Sequence, residues 1–420
     1  MRFFTVYDIL EYYRAEKNEA EEDMYSFFRK CGIRKTQLSF LKTNCSIRSF
    51  PNLLAAVSGY TGLSELEINL LLGIIPNNYT EQFFSAIHEI SSALEKDPHE
   101  DRNKMRALFP CFKTELGQLY NADCVDLMRT LQDDSMDLIF ADPPFNLKKE
   151  YDEGINDNLS MSAYLEWSYN WIDECVRILK PGGALFIYNI PKWCTYYADF
   201  LNKRLSFRSW IGVDMKFNLP LSGRLYPAHY ALLYYIKGDK PSVFNNQRIP
   251  LPTCRHCGGD IKDYGGYKNK MNPLGVNLSD IWSDIYPVRH KGDKNRSYNE
   301  LSVKMLDRIV SMTTNPGDFI FDPFGGSGTT YIVAELLGRR WVGSELGNCK
   351  VIMERFSRIE KDRQLLERIY LEKNHLFPKS VQELRRKNGF WLCEDYENES
   401  IDEENRQLDL FSLINNPQNE

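Results

Sequence analysis

Met136-Asp137-Leu138-Ile139-Phe140-Ala141-Asp142-Pro143-Pro144-Phe145 is the stretch on which the reading of this chain turns. Its first half is a short apolar run, the pattern of a buried strand. Its second half cannot continue that strand. Two consecutive prolines supply no N–H to a ladder, so the chain has to leave the sheet at Asp142. What remains is a stiff loop at a strand's carboxyl end, carrying a carboxylate, a fixed backbone carbonyl and an aromatic face. Open α/β sheets keep their ligand crevice at such ends. The three groups suit a planar amine: two acceptors for its hydrogens and a ring on which its base can stack.

Outward from that stretch, residues 105–240 alternate strand-like and helix-like segments. Leu138–Ala141, Ala184–Tyr188 and His229–Ile236 read as strands. Ser162 reads as the N-cap of an amphipathic helix, Tyr164–Leu179, stopped by Lys180-Pro181-Gly182-Gly183. Residues 239–295 lose the rhythm and gain Pro, Gly, Asn and Lys, as an inserted irregular region does. Alternation returns over 300–372. The pattern predicts an α/β fold with a doubly wound, mostly parallel sheet. Residues 1–93 show helical spacing and little proline, and the polar run Glu95–Lys104 reads as a linker. Three units are therefore expected: an all-helical domain over 1–104, a catalytic domain over 105–393 and an acidic, disordered tail over 394–420.

The 420 residues carry a formal charge of −6, which at first argues against a polyanionic partner. The tail changes this. Residues 394–420 hold nine acids against the single Arg406, a net −8, so the remainder carries +2. Basic clusters stand at Arg289-His290-Lys291 and at Arg385-Arg386-Lys387, and DNA binding needs support from elsewhere. No apolar run approaches the ~20 residues that span a bilayer. The amino terminus lacks a signal-peptide layout, and the ten cysteines are mostly scattered singly, as in a reducing cytosol. A cytoplasmic location is expected.

A second segment carries chemistry. The strand Phe319-Ile320-Phe321 runs into Asp322-Pro323-Phe324-Gly325-Gly326-Ser327-Gly328-Thr329-Thr330 and then a helix through Leu337. Glycines at such a turn let a ligand approach the backbone, and the helix start offers free N–H groups to an anion. The next strand, Trp341-Val342-Gly343, delivers Glu345, an acid about 20 residues past the turn, where it suits ribose hydroxyls. The unit reads as a nucleoside-cofactor site. It is a poor phosphate loop, with Thr329 in the lysine place, and a poor dinucleotide loop, with Tyr331 near the third glycine.

Together these residues resemble the S-adenosylmethionine-dependent amino-group DNA methyltransferases, over about residues 115–350. Asp142–Phe145 looks like that family's catalytic motif and Phe324-Gly-Gly-Ser-Gly328 like its cofactor motif. Leu119–Cys124 resembles the segment whose acid, here Asp123, contacts the cofactor's adenine. The order, catalytic motif first and cofactor loop last, resembles the permuted β class, whose target-recognition region would be 239–295. The resemblance implies a Rossmann-like core and a site-specific methyltransferase, as in restriction–modification, acting on a base flipped out of double-stranded DNA. It implies catalytic roles for Asp142, Pro143, Pro144 and Phe145. It implies cofactor contacts from Asp123, Cys124, Asp142, Asp322, Phe324, Gly326, Ser327, Gly328, Thr329 and Glu345, and no metal. Aspartate at the first catalytic position resembles the adenine (N6) enzymes more than the cytosine (N4) enzymes. The alternatives are N4 methylation and an inactive DNA-binding regulator on the same fold. The chain departs from the family at Leu301-Ser302, where Lys-Pro often precedes the Asn315-Pro-Gly-Asp318 turn.

Three further motifs leave alternatives open. Cys254-Arg-His-Cys257 is half a zinc knuckle, and a structural site needs four ligands. Phe27–Leu41, with Gly32 at its turn, reads as a helix-turn-helix or as a plain helical hairpin that serves dimerisation. Gln407-Leu-Asp-Leu-Phe411 resembles the peptide by which bacterial replication proteins bind the sliding clamp. The other reading is a terminal segment that packs on its own domain.

Overall fold

In the computed structural model the described residues are 5–17, 21–30, 53–72, 108–147, 158–215, 222–223, 225–286 and 300–393, apart from 255, 264, 267 and 374. Several expectations fall outside them. These are the linker over 95–104, most of the Phe27–Leu41 motif, the basic run after Arg289 and the whole tail with Gln407–Phe411.

Before residue 73 the described residues are mainly helical: α1 (Val6–Lys17), α2 (Glu21–Lys30), α3 (Leu53–Thr61) and α4 (Glu65–Leu71). They share a small core that includes Val6, Ile9, Phe28, Leu53 and Ile68. Ser64 and Glu67 close α4 with a reciprocal capping box.

The rest is built on one nine-stranded sheet in the order β1-β2-β11-β10-β3-β4-β6-β5-β9. Its strands are β1 (Phe112–Lys113), β2 (Gly117–Tyr120), β3 (Met136–Ala141), β4 (Leu179–Asn189), β5 (Ser206–Asp214), β6 (His229–Ile236), β9 (Ile281–Trp282), β10 (Phe319–Asp322) and β11 (Arg340–Ser344). The strands from β2 to β4 in that order are all parallel. β6 is antiparallel to both its neighbours, and the mostly parallel sheet is as expected.

Strand residues alternate between two cores, as period-2 geometry requires. From β4, Leu185 and Ile187 enter one core together with α5 (Cys124–Thr130), α6 (Met161–Ile178) and α7 (Pro191–Leu201). Ala184, Phe186 and Tyr188 enter the other, with α8 (Val303–Thr313), α9 (Thr329–Leu336) and α11 (Ile359–Lys373). Helices on both faces make the sheet doubly wound, and full burial explains why β3 is apolar on both sides.

The expected elements shift in three places. Ser160, not Ser162, caps α6, because its extended backbone lets its hydroxyl accept the N–H of Ala163. The Ser162 hydroxyl instead donates to Asp8 of α1, 3.3 Å away. The Lys180–Gly183 segment is the start of β4 rather than a separate turn. The described residues of 239–286 are mostly irregular, with the short hairpin β7 (Arg248–Ile249) and β8 (Val276–Asn277). They nonetheless return one strand, β9, to the edge of the main sheet beside β5.

The chain winds outward from the middle of the sheet in both directions. β3 leads through α6 to β4 on one side, and β10 leads through α9 to β11 on the other. Between β3 and β10 the crossovers diverge to opposite faces, which opens a crevice at their carboxyl ends.

Candidate active site

The register places the site residues on that crevice. Ile320 and Phe321 of β10 pair with Leu138 and Ile139 of β3, so the Asp142 corner and the Pro323–Gly328 loop leave adjacent strands at one level. Asp322 pairs with Gly343, which puts Glu345 next in line. Ser344 pairs with Tyr120, which brings Asn121–Asp123 to the same edge. Residues more than 200 positions apart thus meet along four consecutive strands.

The corner itself is held from behind. Asp142 is partly exposed, and Pro143 is buried. The buried Tyr164 hydroxyl of α6 donates to the Pro144 carbonyl at 2.6 Å. It in turn accepts from the Tyr197 hydroxyl at 2.9 Å and from the Asn189 amide at 3.3 Å. The Trp193 indole N–H donates to the Phe145 carbonyl at 2.8 Å. Asn146, in the left-handed region at φ 52°, closes the corner by pairing both amide atoms with the backbone of Leu159. The Phe145 ring rests against Tyr230 and Tyr188, with centroids 5.8 and 6.3 Å away. Burial raises the Tyr188 phenol well above its ordinary value, and the negative charge of Asp142 adds to this. Tyr164, Trp193 and Asn189 are not legible as site residues in the sequence, where they pass for ordinary core positions.

The glycine loop is shaped by its acids. Asp322 is buried, and its oxygens accept from the Phe324 N–H at 2.8 Å and from the Thr330 hydroxyl. Burial holds this carboxyl well above the usual carboxylate range. Those two hydrogen bonds pull it down, and the charges of Asp142 and Glu345 push it up. Glu345 accepts the Gly326 N–H on one oxygen at 2.6 Å and the Gly347 N–H on the other at 2.8 Å. Each oxygen keeps a further lone pair for a ligand hydroxyl. Gly326 and Gly328 sit at φ 55° and 76°, a conformation that side chains rarely adopt.

Tyr331 is explained by its neighbour across the fold. A Cβ on Gly343 would lie 2.1 Å from the Tyr331 ring. The small residue that lets helix and strand approach is therefore on β11, and the helix carries the bulk.

Several side chains expected to contact the cofactor are already engaged within the protein. Ser327 and Thr329 are buried, with 4% and 2% exposure. Their hydroxyls lie 3.2 and 2.8 Å from Arg355 of α10 (Lys350–Phe356). That guanidinium is forked onto Asp362 at 3.0 and 2.8 Å and lies 3.3 Å from Glu300. Only the backbone of Ser327 and Thr329 remains to face a ligand. Asp123 spends Oδ1 on capping α5, bonding the N–H groups of Val125 and Asp126. Cys124 is packed in the core, and burial pushes its thiol well above the ordinary thiol value. Phe324 packs against Trp171 and Trp167 of α6, with centroids 5.2 and 5.8 Å away.

Outside the crevice, no group of three metal-ligating side chains occurs among the described residues. The turn at Cys254–Cys257 is instead braced by α12 (Lys379–Lys387). From that helix Arg385 donates to the carbonyls of Gly258, at 2.9 Å, and of Gly259. Among the described residues no helix is long and apolar enough to cross a membrane.

Comparison with known proteins places the chain among relatives. A family model described as DNA methylase matches residues 136–354, which include both the Asp142 corner and the glycine loop. The Type II methyltransferase M.BamHI of Bacillus amyloliquefaciens is 53% identical over 421 residues, covering 98% of this chain and 99% of that protein. The Type II methyltransferase M.HpaI of Haemophilus parainfluenzae is 31% identical over 233 residues, 54% of this chain and 70% of that protein. Among solved structures, the PvuII DNA methyltransferase (cytosine-N4-specific) covers 73% of this chain and 94% of its own, at 17% identity and a TM-score of 0.43.

Proposed function

The chain belongs to the amino-group (N6/N4) DNA methyltransferases, which depend on S-adenosylmethionine, and from that premise we propose that it methylates the exocyclic amine of a base flipped from duplex DNA into the Asp142 corner. The observation that carries this reading is the pairing of β3 with β10, which sets the corner and the glycine loop side by side.

The donor set suits the cofactor. Asp142 and Glu345 lie close enough to Asp322 for their charges to push its carboxyl up. S-adenosylmethionine carries a sulfonium and an ammonium, so the partly exposed carboxylates of Asp142 and Glu345 fit it better than they fit a phosphate. Glu345 would take the ribose hydroxyls, and the backbone of residues 326–329 would line the other side. When bound, the cofactor supplies a methyl group already activated by the sulfonium charge.

The protein's part is then placement. We assign the Asp142 carboxylate and the Pro143 carbonyl as acceptors for the two amine hydrogens. The next two carbonyls, of Pro144 and Phe145, are already bound to Tyr164 and Trp193, which fixes the twist of the loop. Accepting both hydrogens draws the nitrogen lone pair out of ring conjugation and toward the methyl group. Correct placement of this kind supplies about 7–11 kcal/mol of a barrier. Asp142 also stabilises the charge that builds on nitrogen. Phe145, backed by two tyrosines, offers a stacking face worth about 1–3 kcal/mol, against a flipping cost of a few.

Aspartate at position 142 favours adenine as the target. Cytosine presents a similar amine beside a ring nitrogen, so product analysis decides between them. Purified protein is incubated with duplex DNA and S-adenosylmethionine, and the nucleosides are separated by mass. N6-methyladenine is the expected product. N4-methylcytosine would overturn the adenine assignment while leaving amine transfer intact, and unmodified DNA would overturn the whole reading in favour of an inactive regulator. Asp142→Ala should abolish transfer while cofactor binding persists; single-turnover product from that variant would remove Asp142 from its role.

A further inference from the structure

A flipped base leaves a hole in the duplex, and the chain carries an exposed apolar pair four and five residues before Tyr230, whose ring packs on Phe145 of the corner. Asp214 pairs with His229, and Ala231 pairs with Asn189. The 215–228 connection therefore leaves the sheet at the same edge as Asp142. Its far end is tied to the corner, because the Tyr230 ring lies 5.8 Å from Phe145 and 5.0 Å from Tyr188. Three to five residues earlier, within about 18 Å of extended chain, comes Leu225-Tyr226-Pro227. Leu225 is 94% exposed, the most exposed large apolar side chain among the described residues, and Tyr226 is 51% exposed.

Single apolar side chains are common on surfaces and need no explanation. This pair differs in two respects. Its two members are adjacent in a connection whose two ends, Asp214 and His229, pair at the catalytic edge of the sheet. Residues 215–228 also contain Lys216 and Arg224 and no acid, so the segment is suited in charge to the phosphate backbone.

We propose that Leu225 and Tyr226 enter the base stack and occupy the space vacated by the flipped nucleotide. The partner is double-stranded DNA, and the proposal rests on the amine-transfer reading above. Apolar and aromatic side chains fill such gaps because they restore stacking contact without needing hydrogen-bond partners in the middle of the duplex. Neither residue touches the reacting amine. Their contribution is to the cost of extruding the base.

The test uses the full-length protein and the double variant Leu225→Ala/Tyr226→Ala, whose exposed sites keep the fold out of danger. The duplex carries the site recovered from the modified DNA, either fully paired or with the target base mispaired. A mispaired base is partly paid out of the stack beforehand. On the paired duplex kcat/KM should fall about tenfold or more, and on the mispaired duplex it should stay within about twofold of the parent. With 2-aminopurine at the target position, the fluorescence rise seen on binding the parent protein should be lost. Affinity for S-adenosylmethionine should not change. Equal loss on both duplexes would make the pair an ordinary backbone contact, and no loss on either would leave it without a role; both overturn the proposal. If the parent protein methylates neither duplex, the amine-transfer reading itself has failed, which is a separate and visible outcome.

Discussion

Tyr164→Phe isolates the support of the catalytic corner. The substitution removes one oxygen and keeps the ring that packs against Trp193, 4.5 Å away between centroids. The lost oxygen serves three partners: it donates to the Pro144 carbonyl and accepts from Tyr197 and Asn189. Tyr197 keeps a contact with the Ser168 hydroxyl at 3.2 Å, so it is only half deprived. The Pro144 carbonyl loses this buried donor, and an unmet buried group costs about 1–3 kcal/mol. The variant should therefore unfold at lower denaturant concentration while remaining folded. The larger effect is expected on rate. Freed from Tyr164, the Pro144 peptide can rotate and carry the neighbouring Pro143 carbonyl with it. A displacement near 1 Å at a reacting centre costs about a hundredfold. We expect kcat to fall about 10–100-fold, with KM for S-adenosylmethionine within about twofold, because the glycine loop is on another strand. Single-turnover kinetics separates the chemical step from product release. A variant that is less stable but retains parental kcat would refute the reasoning, since the hydroxyl would then be a core hydrogen bond and nothing more.

Arg355 makes the complementary case for the cofactor loop. Its side chain is 1% exposed and binds Asp362, Ser327 and Thr329 at once, so Arg355→Ala should cost about 3–5 kcal/mol in a denaturant titration. Arg355→Lys, which keeps the charge but loses the fork, should raise KM for S-adenosylmethionine more than it lowers kcat; the opposite split would sever the loop from this residue. The irregular segment before α8 is pinned to the core by Asp284, which binds Arg308 at 3.0 and 2.6 Å. Partial burial works against the charged form of Asp284, but the hydrogen bonds and charges of Arg308 and Lys304 outweigh it and hold the carboxyl well below the usual carboxylate range. A depressed acid stabilises the fold above its unfolded value of about 3.9, and that stabilisation is lost as pH falls below it. Asp284→Asn should therefore cost about 1–3 kcal/mol at pH 7, with the gap to the parent closing below about pH 4. A pH-independent gap would contradict the ion-pair account.

Much of the site is local, and for that reason it is legible in the chain. The prolines at 143 and 144 end β3 wherever it lies in the sheet. Gly326 and Gly328 mark a backbone that other residues avoid, and the apolar periods around them predict strand, turn and helix in the order observed. Each of these follows from constraints within a few residues. Ser160 and Ser162 are equivalent in sequence as caps of α6, and only the backbone of Ser160, at φ −58° and ψ 158°, separates them. β9 is illegible in the chain because two residues carry no period; its place at the sheet edge comes from its pairing with β5.

The amino-acid order by itself determined which groups could do chemistry: a proline-stiffened carboxylate corner, a glycine turn and an acid one strand later. It could not determine what stands behind them. Tyr164, Trp193 and Arg355 have the spacing of ordinary core or helix residues, and their hydrogen-bonding atoms reach the two loops only because α6, α7 and α10 pack where they do. The sheet order decided that the corner and the turn meet. Pairing between strands some 180 residues apart is set by the burial of both faces at once, and that is a property of the assembled layers, not of any segment.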